Sequence, residues 1–210
     1  MEDPKPYHHT DLKNTLVTAG LALLAERGVN ELNLRAVARR AGVSHTAPYR
    51  HFADKEALLV AIAEDGFRRL DAQLTAAKGA ATDSAKQQLV AVGRAYIVFA
   101  SEQQDSFRLM FSHIIAHREQ YLALCALAQS CFQLLQSIIE AGQASGEFIT
   151  VDRIELTKSV WSMLHGLASL LVEGQFSEHG QTPQTQEQTI NFHLERLLAA
   201  LTPLGSEHAL

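Results

Sequence analysis

The tripeptide Gly42-Val43-Ser44 is the sequence feature that most constrains the fold of this chain. It separates a short helical segment that starts at Asn33 from a second one that ends near His51. Glycine ends a helix because it adopts left-handed backbone angles without strain, and serine caps the start of the next helix. Two short helices joined by so tight a turn predict a helix-turn-helix.

Helical periodicity continues along the rest of the chain, and no run alternates as a β-strand does. Within the N-terminal part, Thr10, Asn33, Ser44 and Asp54 are the predicted helix caps. Five longer helices follow the fourth, which ends near Gly79; they are predicted at about 83–101, 105–115, 119–144, 152–174 and 186–200. The polar, Gln-rich segment 175–186 is predicted to be an exposed connection. The fold class is therefore all-α with about nine helices, divided into a three-helix domain of residues 1–55 and a larger domain of residues 56–210.

Pro48 lies inside the predicted second helix of the motif, where proline removes a backbone donor. If Ser44 is the cap, Pro48 is the fourth helical residue and removes only the first hydrogen bond. If His45 or Thr46 is the cap, Pro48 falls among positions whose N–H has no helical partner. We favour the later start, because Ala47 precedes a proline and so resists α geometry. The prediction is a short helix that begins late and has barely two turns.

Positive charge is concentrated in this motif, although the whole chain has a net charge of −5. Residues 33–55 contain five Lys or Arg against one acidic residue, Asp54. Such a patch can be an ordinary solvated helix face, or it can mark DNA binding, in which the second helix of the motif lies in the major groove. His45, Thr46 and Ala47 would meet base edges; Tyr49, His51 and Lys55 would meet phosphates. The predicted DNA-binding residues are Asn33, Arg35, Ser44, His45, Thr46, Ala47, Tyr49, His51 and Lys55.

The stretch LNLRAVARRAGVSHTAPYRHFADKEALLVAIA resembles the DNA-binding domain of TetR-type transcriptional regulators. The shared features are the A-x-x-A-G-V-S turn, the Y-R-H-F end of the second helix and the K-E-A-L-L start of the next; the match covers residues 10–63. The chain departs from it at Thr46, Ala47 and Pro48, where many relatives have Gly-Thr-Leu.

This resemblance implies a homodimer that binds a palindromic operator in double-stranded DNA and is released by an unknown small-molecule effector. It places the dimer interface on the helices predicted at about 152–174 and 186–200. Repressors are commoner than activators in the family, so we expect a repressor. The alternatives are an activator of the same fold, or a helical dimeric ligand-binding protein whose motif no longer binds DNA.

A looser resemblance concerns the effector domain. Trp161, His165 and Gly166 follow the W-x-x-x-H-G pattern of one subgroup of TetR effector domains, and the upstream EAGQASGEF is similar to that subgroup too. Trp161 and His165 share one helix face, and Gly166 with Ala168 would let another helix come close. The pair can be an ordinary core contact, the lining of a ligand cavity or a metal site. The candidate effector-pocket residues are Phe99, Phe107, Met110, Phe111, His113, Tyr121, Trp161 and His165.

Other functional classes find little support in the sequence. The chain shows no nucleophile–base spacing, paired carboxylates or phosphate-binding glycine loop, so we expect neither an enzyme nor a cofactor. His113 and His117 have the i, i+4 spacing of metal ligands but no third ligand nearby, so no metal site is predicted. Cys125 and Cys131 lie six apart on one predicted helix and cannot bridge each other. No membrane span and no signal peptide are expected, which favours the cytoplasm.

Overall fold

The computed structural model describes residues 9–81, 83–176 and 182–203, and within these ranges it contains helices and no β-strand. The α-helices are α1 His9–Glu31, α2 Leu34–Arg40, α3 Lys55–Ala80, α4 Ala85–Glu102, α5 Gln104–Phe111, α6 Leu122–Ala144, α7 Arg153–Val172 and α8 Pro183–Leu201. Two single 3₁₀ turns, Pro48–Arg50 and Arg118–Gln120, complete the described elements. The all-α class is confirmed. The side chain of Thr10 and residues 177–181 of the Gln-rich connection lie outside the described part.

Side-chain caps fix several helix starts where the sequence predicts them. The side-chain oxygen of Asn33 accepts the Ala36 N–H at 2.9 Å, and Asp54 accepts the Ala57 N–H at 2.8 Å. Asp152 caps α7 in the same way, through the Glu155 N–H at 2.9 Å. Each cap satisfies an N–H that the helix itself leaves without a partner.

The described residues form eight α-helices and not nine, because the segment after Ser44 is not an α-helix. Pro48 has no N–H to donate to the Ser44 carbonyl, so that carbonyl accepts from Ala47 instead, at 3.0 Å. The resulting i→i+3 spacing gives a turn followed by the 3₁₀ segment Pro48–Arg50. The late start is confirmed, but the predicted length of two turns was wrong. The expectation that Ala47 resists α geometry was also wrong, because its own φ and ψ are −59° and −45°.

Helix α5 ends at Phe111, four residues before the end that the sequence predicts. The cause is Ser112, whose hydroxyl donates to the Leu109 carbonyl at 3.1 Å and accepts the Ile114 N–H at 3.3 Å. A serine hydroxyl that takes over backbone partners competes with helix continuation. His113 and His117 therefore do not share a helix face, which corrects the i, i+4 relationship expected for them.

The chain separates into two compact units, an N-terminal unit and an effector unit. The N-terminal unit contains the chain up to Arg68 together with Asp105–Cys125, and the effector unit contains Arg69–Gln104 and the chain from Ala126 onward. Helix α5 belongs to the N-terminal unit because it packs on the first half of α3, and the domain boundary after residue 55 stays a prediction. A Cβ added at Gly66 of α3 would lie 2.6 Å from both the Met110 sulfur and the Ser106 hydroxyl.

In the effector unit, α4 packs closely against α7 and α8 at Gly93. A Cβ at this position would lie 2.9 Å from Leu194 and 3.1 Å from Leu164. Gly166, which the sequence suggests as the close-approach residue, has nothing within 4 Å of an added Cβ in the described chain. Gly93 is thus the residue that lets these helices meet, whereas the close approach expected at Gly166 involves no helix of the described chain.

Helix α6 is the one described helix long and apolar enough to cross a membrane by length and composition. Only 22% of its most apolar window is buried. Polar side chains interrupt it and bond to neighbouring elements of the effector unit: Ser137 accepts from Lys78 at 2.8 Å, and Glu140 pairs with Arg153 at 2.5 Å. These contacts pack α6 against neighbouring helices of its own unit.

Glu147 ties the α6–α7 connection to the start of α4. Its carboxylate accepts from the Ser84 hydroxyl at 2.6 Å and from the amides of Ala85 and Lys86 at 3.0 and 3.1 Å. Burial alone would raise the pKa of Glu147, but these bonds, with one from Ser145, lower it to about 2. The negative charge also lies at the positive end of the α4 dipole.

Glu147→Gln should destabilise the protein by about 2 kcal/mol at pH 7, because it replaces charge-assisted hydrogen bonds with neutral ones. The folded-state pKa of Glu147 lies below its ordinary value of 4.5, so its contribution is complete above pH 4.5 and decreases as the pH falls towards 2. Denaturant unfolding of both proteins at several pH values should show the difference shrinking in acid. Glu102→Gln, at an exposed carboxylate, is the control, and a pH-independent difference would contradict the prediction.

Candidate nucleic-acid interface and effector site

The segment from Gly42 to Phe52 forms a rigid, exposed turn in the N-terminal unit. Gly42 has a φ of 68°, which ends α2 in the left-handed region that favours glycine. The amides of His51 and Phe52 both donate to the Pro48 carbonyl at 2.9 Å. Pro48 and Phe52 are buried, so they anchor the turn from below and leave the residues between them at the surface.

The predicted base-reading residues lie on the outer side of this turn. His45 and Thr46 are exposed, and 53% of Tyr49 is accessible. The Ser44 and Thr46 hydroxyl oxygens are 3.2 Å apart, which fixes the orientation of both. Residues three apart eclipse each other in 3₁₀ geometry, so the turn places side chains differently from an α-helix. Ala47 and His51 are only half-buried and lie at the border of the same surface.

The basic residues around the turn differ in how freely they can meet a phosphate. Arg35, Arg39 and Arg50 are exposed. Arg40 is paired with Glu26 at 2.6 Å, and this hydrogen bond lowers the pKa of the Glu26 carboxyl. The Glu26 charge therefore offsets part of the positive patch that the sequence predicts.

Lys55 and Asn33 lie in the predicted interface, and the side chains of both also form hydrogen bonds with backbone groups of the N-terminal unit. The Lys55 ammonium donates to the Val29 carbonyl, just after the break that Gly28 makes in α1 with a φ of 73°. Asn33 donates to the Glu31 carbonyl at 3.1 Å while its oxygen caps α2. Substituting either residue would therefore affect the fold of the N-terminal unit, so neither is a clean probe of DNA binding.

Pro48→Ala should convert residues 45–50 to α-helix, because the new amide at position 48 can donate to the Ser44 carbonyl. Loss of the buried ring should cost about 1–2 kcal/mol of stability. Backbone chemical shifts and amide exchange in residues 45–50, measured by NMR, report the change. Val43→Ala is the matched control, since it truncates a neighbouring apolar side chain without adding an amide. If the chemical shifts of residues 45–50 in Pro48→Ala stay those of a 3₁₀ turn, the missing N–H of Pro48 is not the reason why this segment is not an α-helix.

In the effector unit, Trp161 and His165 of α7 form a cluster with Tyr96 of α4. The Tyr96 hydroxyl lies 2.7 Å from His165 Nδ1, and the Trp161 and His165 rings are 5.5 Å apart. Phe132 of α6 meets Trp161 edge to face at 6.3 Å. The i, i+4 spacing of Trp161 and His165 did place them on one face, as the sequence predicts.

A second set of polar contacts in this unit joins α3 to α6. Asp71 accepts the Ser130 hydroxyl at 2.9 Å, and the Cys131 sulfur lies 3.9 Å from the same carboxylate oxygen. Burial, together with the charge of Asp71, raises the pKa of Cys131 to about 12. Burial likewise raises the pKa of Tyr96 and lowers that of His165. At neutral pH these three groups are uncharged.

The remaining effector-pocket candidates have other surroundings. In the effector unit, Phe99 is buried. In the N-terminal unit, Phe107 and Met110 are also buried, and Phe111 contacts Phe67 at 5.5 Å. His113 is exposed in the loop after α5. Tyr121 lies beside Glu56, and partial burial followed by the charge of Glu56 raises its pKa.

Sequence reasoning missed Tyr96 and Phe132 as members of the cluster, and it missed the contact between Asp71 and Cys131. They come from three helices that are far apart in the sequence, and no spacing connects them with the Trp161 helix. A polar residue in an otherwise apolar helix face, such as Tyr96 in VGRAYIVFA, was the available signal. Among the described residues, no group of three His, Cys, Asp or Glu side chains could hold a metal ion.

Two protein families match this chain, one in its N-terminal part and one in its C-terminal part. The family of tetracyclin repressor-like C-terminal domains matches residues 89–197, and the tetR family of bacterial regulatory proteins matches residues 16–62. The tetracycline repressor protein class A of Escherichia coli is 51% identical over 51 residues, which are 24% of this chain and 24% of that protein. The chain thus matches about a quarter of the length of that curated relative.

Solved structures resemble the chain over nearly its whole length. A protein of unknown function from Rhodococcus sp. RHA1 is 30% identical, covers 95% of this chain and 100% of its own, and has a TM-score of 0.80. The transcriptional regulator FadR of Bacillus subtilis, solved with stearoyl-CoA, is 15% identical, with coverages of 90% and 98% and a TM-score of 0.74. At that identity, the second likeness concerns the fold alone.

Proposed function

The chain belongs to the TetR family of bacterial regulatory proteins, and we propose that it is a homodimeric repressor that a small-molecule effector releases from a palindromic operator. The observation that carries the proposal is the exposed turn of residues 44–50, held by buried anchors beside exposed arginines. Such a surface suits the reading of base edges flanked by phosphate contacts.

The proposed division of roles follows the exposure of the side chains. His45 and Thr46 read base edges: an imidazole can donate or accept, and the Thr46 methyl can pack on a thymine methyl. Tyr49, Arg35 and Arg50 contact phosphates. Ala47, His51 and Ser44 shape the turn. Asn33 and Lys55 stabilise the protein backbone next to it and remain within reach of the DNA phosphates. The helix-turn-helix is thus completed by a 3₁₀ turn in place of a full third helix.

Tyr49→Ala should lower operator affinity about tenfold for all sequences, because it removes the contact of an exposed side chain with a DNA phosphate. His45→Ala should instead change which sequences are selected from random duplex DNA. Selection followed by fluorescence anisotropy measures both effects, and His113→Ala is the control for loss of an exposed imidazole.

About four phosphate contacts per subunit give a slope of about −7 for log affinity against log salt in the dimer. A slope near zero would overturn the DNA-binding role.

Dimerisation is supported by an exposed apolar surface on α7 and α8. Met163 and Leu170 are 46% and 44% accessible on one stripe of α7, and Phe192 of α8 is 58% accessible. Gly166 lies on the same stripe, and nothing in the described chain meets it. Glycine inside a helix is about 1 kcal/mol less favourable than alanine, so a close partner helix is the physical reason that fits it. We place a second copy there, as the family resemblance implies.

Gly166→Leu should abolish the dimer, because a large side chain would prevent close approach of the partner helix, while the isolated subunit should be as stable as before or slightly more so. Sedimentation velocity measures the assembly and circular dichroism the fold. Lys158→Leu, which adds a leucine to another face of α7, should leave the dimer intact. A fully dimeric Gly166→Leu protein would place the interface elsewhere.

The effector is proposed to bind in the effector unit, near Trp161 and His165. Their ring contact and the bond to Tyr96 support the finer resemblance to the W-x-x-x-H-G subgroup. Helix α3 runs through both units, so an effector that favours one arrangement of α3 could change the spacing of the two reading turns. A nearly complete switch of this kind requires about 5.5 kcal/mol of differential affinity. The role is one of binding in the cytoplasm, without catalysis.

A further inference from the structure

The hydroxyl groups of Ser44 and Thr46 form a contact that decides which part of Thr46 can meet a base. The two oxygens are 3.2 Å apart, within hydrogen-bond distance, and both residues are exposed. Either hydroxyl can be the donor, but in both cases the oxygen of Thr46 is turned towards Ser44. Because the oxygen and the methyl group of a threonine are bound to the same tetrahedral carbon, the Cγ2 methyl group must then point in a different direction.

The backbone of the turn keeps this arrangement in place. The Ala47 amide donates to the Ser44 carbonyl at 3.0 Å, which closes the backbone around the two hydroxyl groups. The buried ring of Pro48 follows directly and anchors the same turn. Threonine branches at its β carbon, so its side chain has few rotamers, and the contact with Ser44 selects among them. The side chain of Thr46 is thus oriented before any DNA is bound.

A methyl group directed away from the turn suits one feature of the DNA major groove. Thymine carries a methyl group at C5, and the edges of the other three bases carry none. A threonine hydroxyl, by contrast, can form a hydrogen bond with several bases and so contributes little selectivity. The orientation of Thr46 therefore favours a contact that distinguishes thymine from the other bases.

We propose that Ser44 is a positioning residue that directs the Thr46 methyl group onto the C5-methyl group of a thymine in each operator half-site. This inference rests on the proposed DNA-binding function. It adds which group of Thr46 reads the base, which base is selected and which neighbour orients the side chain. Ser44 acts on base selection only through the orientation of Thr46.

Deoxyuridine in place of thymine tests the methyl contact, because it keeps the base pair and the O4 acceptor and removes only the C5-methyl group. An operator is first selected from random duplex DNA with the full-length protein, and each thymine is then replaced symmetrically in both half-sites. Fluorescence anisotropy should reveal one thymine position at which deoxyuridine weakens binding about fourfold per half-site. For the dimer, this deoxyuridine penalty is about 15-fold, as expected for two buried methyl groups.

Two variants of Thr46 separate its methyl group from its hydroxyl. Thr46→Val keeps a methyl group at the same place and removes the hydroxyl, so the deoxyuridine penalty should persist. Thr46→Ser keeps the hydroxyl and removes the methyl group, so the penalty should fall below about twofold. Thr150→Ser is the matched control: it removes a methyl group from an exposed threonine of the effector unit and should keep the full penalty.

Ser44→Ala tests the positioning role. Without its partner, the Thr46 side chain should occupy other rotamers, and the deoxyuridine penalty should fall from about 15-fold to about fourfold or less. Ser44→Thr restores a hydroxyl at this position and should restore the penalty. A purely structural role of Ser44 would instead weaken the binding of thymine and deoxyuridine duplexes equally and leave their ratio unchanged.

The inference is overturned if no thymine position is sensitive to deoxyuridine, or if Thr46→Ser or Ser44→Ala keeps the full penalty. It is also overturned if Thr46→Val loses the penalty, since the hydroxyl would then read the base. Each of these results leaves the proposed function in place, because the operator is still bound. If the protein selects no duplex at all, the proposed function fails, and this inference fails with it.

Discussion

The close packing of α4 against α7 and α8 at Gly93 is the constraint on which the effector unit depends. Because Gly93 has no side chain, Leu164 and Leu194 can fill the space beside α4. Tyr96, less than one turn further along α4, then reaches His165 on α7. The same packing directs the opposite side of α7, including Gly166, away from the core. One glycine thus positions both the polar cluster and the surface proposed for a second copy.

In the N-terminal unit, the absence of an amide hydrogen on Pro48 determines the local structure in a comparable way. Pro48 cannot donate to the Ser44 carbonyl, and the backbone closes a shorter ring through Ala47 instead. The segment proposed to read DNA therefore becomes a turn with a single 3₁₀ step, anchored by the buried proline ring. Its outer residues are held by backbone bonds and need no long helix to orient them. A protein that reads DNA benefits from such rigidity, since less conformational freedom is lost on binding.

Local signals predicted the helices well because their physical causes are local. Asn33, Asp54 and Asp152 cap helices through their own neighbouring amides, and any chain with those residues would gain the same bonds. The early end of α5 was also local, but Ser112 has two competing partners, and only coordinates show which it takes. Gly166 differs from these cases, because a glycine indicates a close approach without saying which element approaches.

By itself, the sequence determined the all-helical class, the tight turn at Gly42, the surface position of His45 and Tyr49, and the shared face of Trp161 and His165. Each of these depends on residues within a few positions of one another. The tertiary structure alone decided that Tyr96 and Phe132 contact that face, and that Lys55 donates to the Val29 carbonyl. Such contacts join helices far apart in the sequence, and their geometry is fixed by how several apolar faces pack at once, which no single stretch of residues encodes.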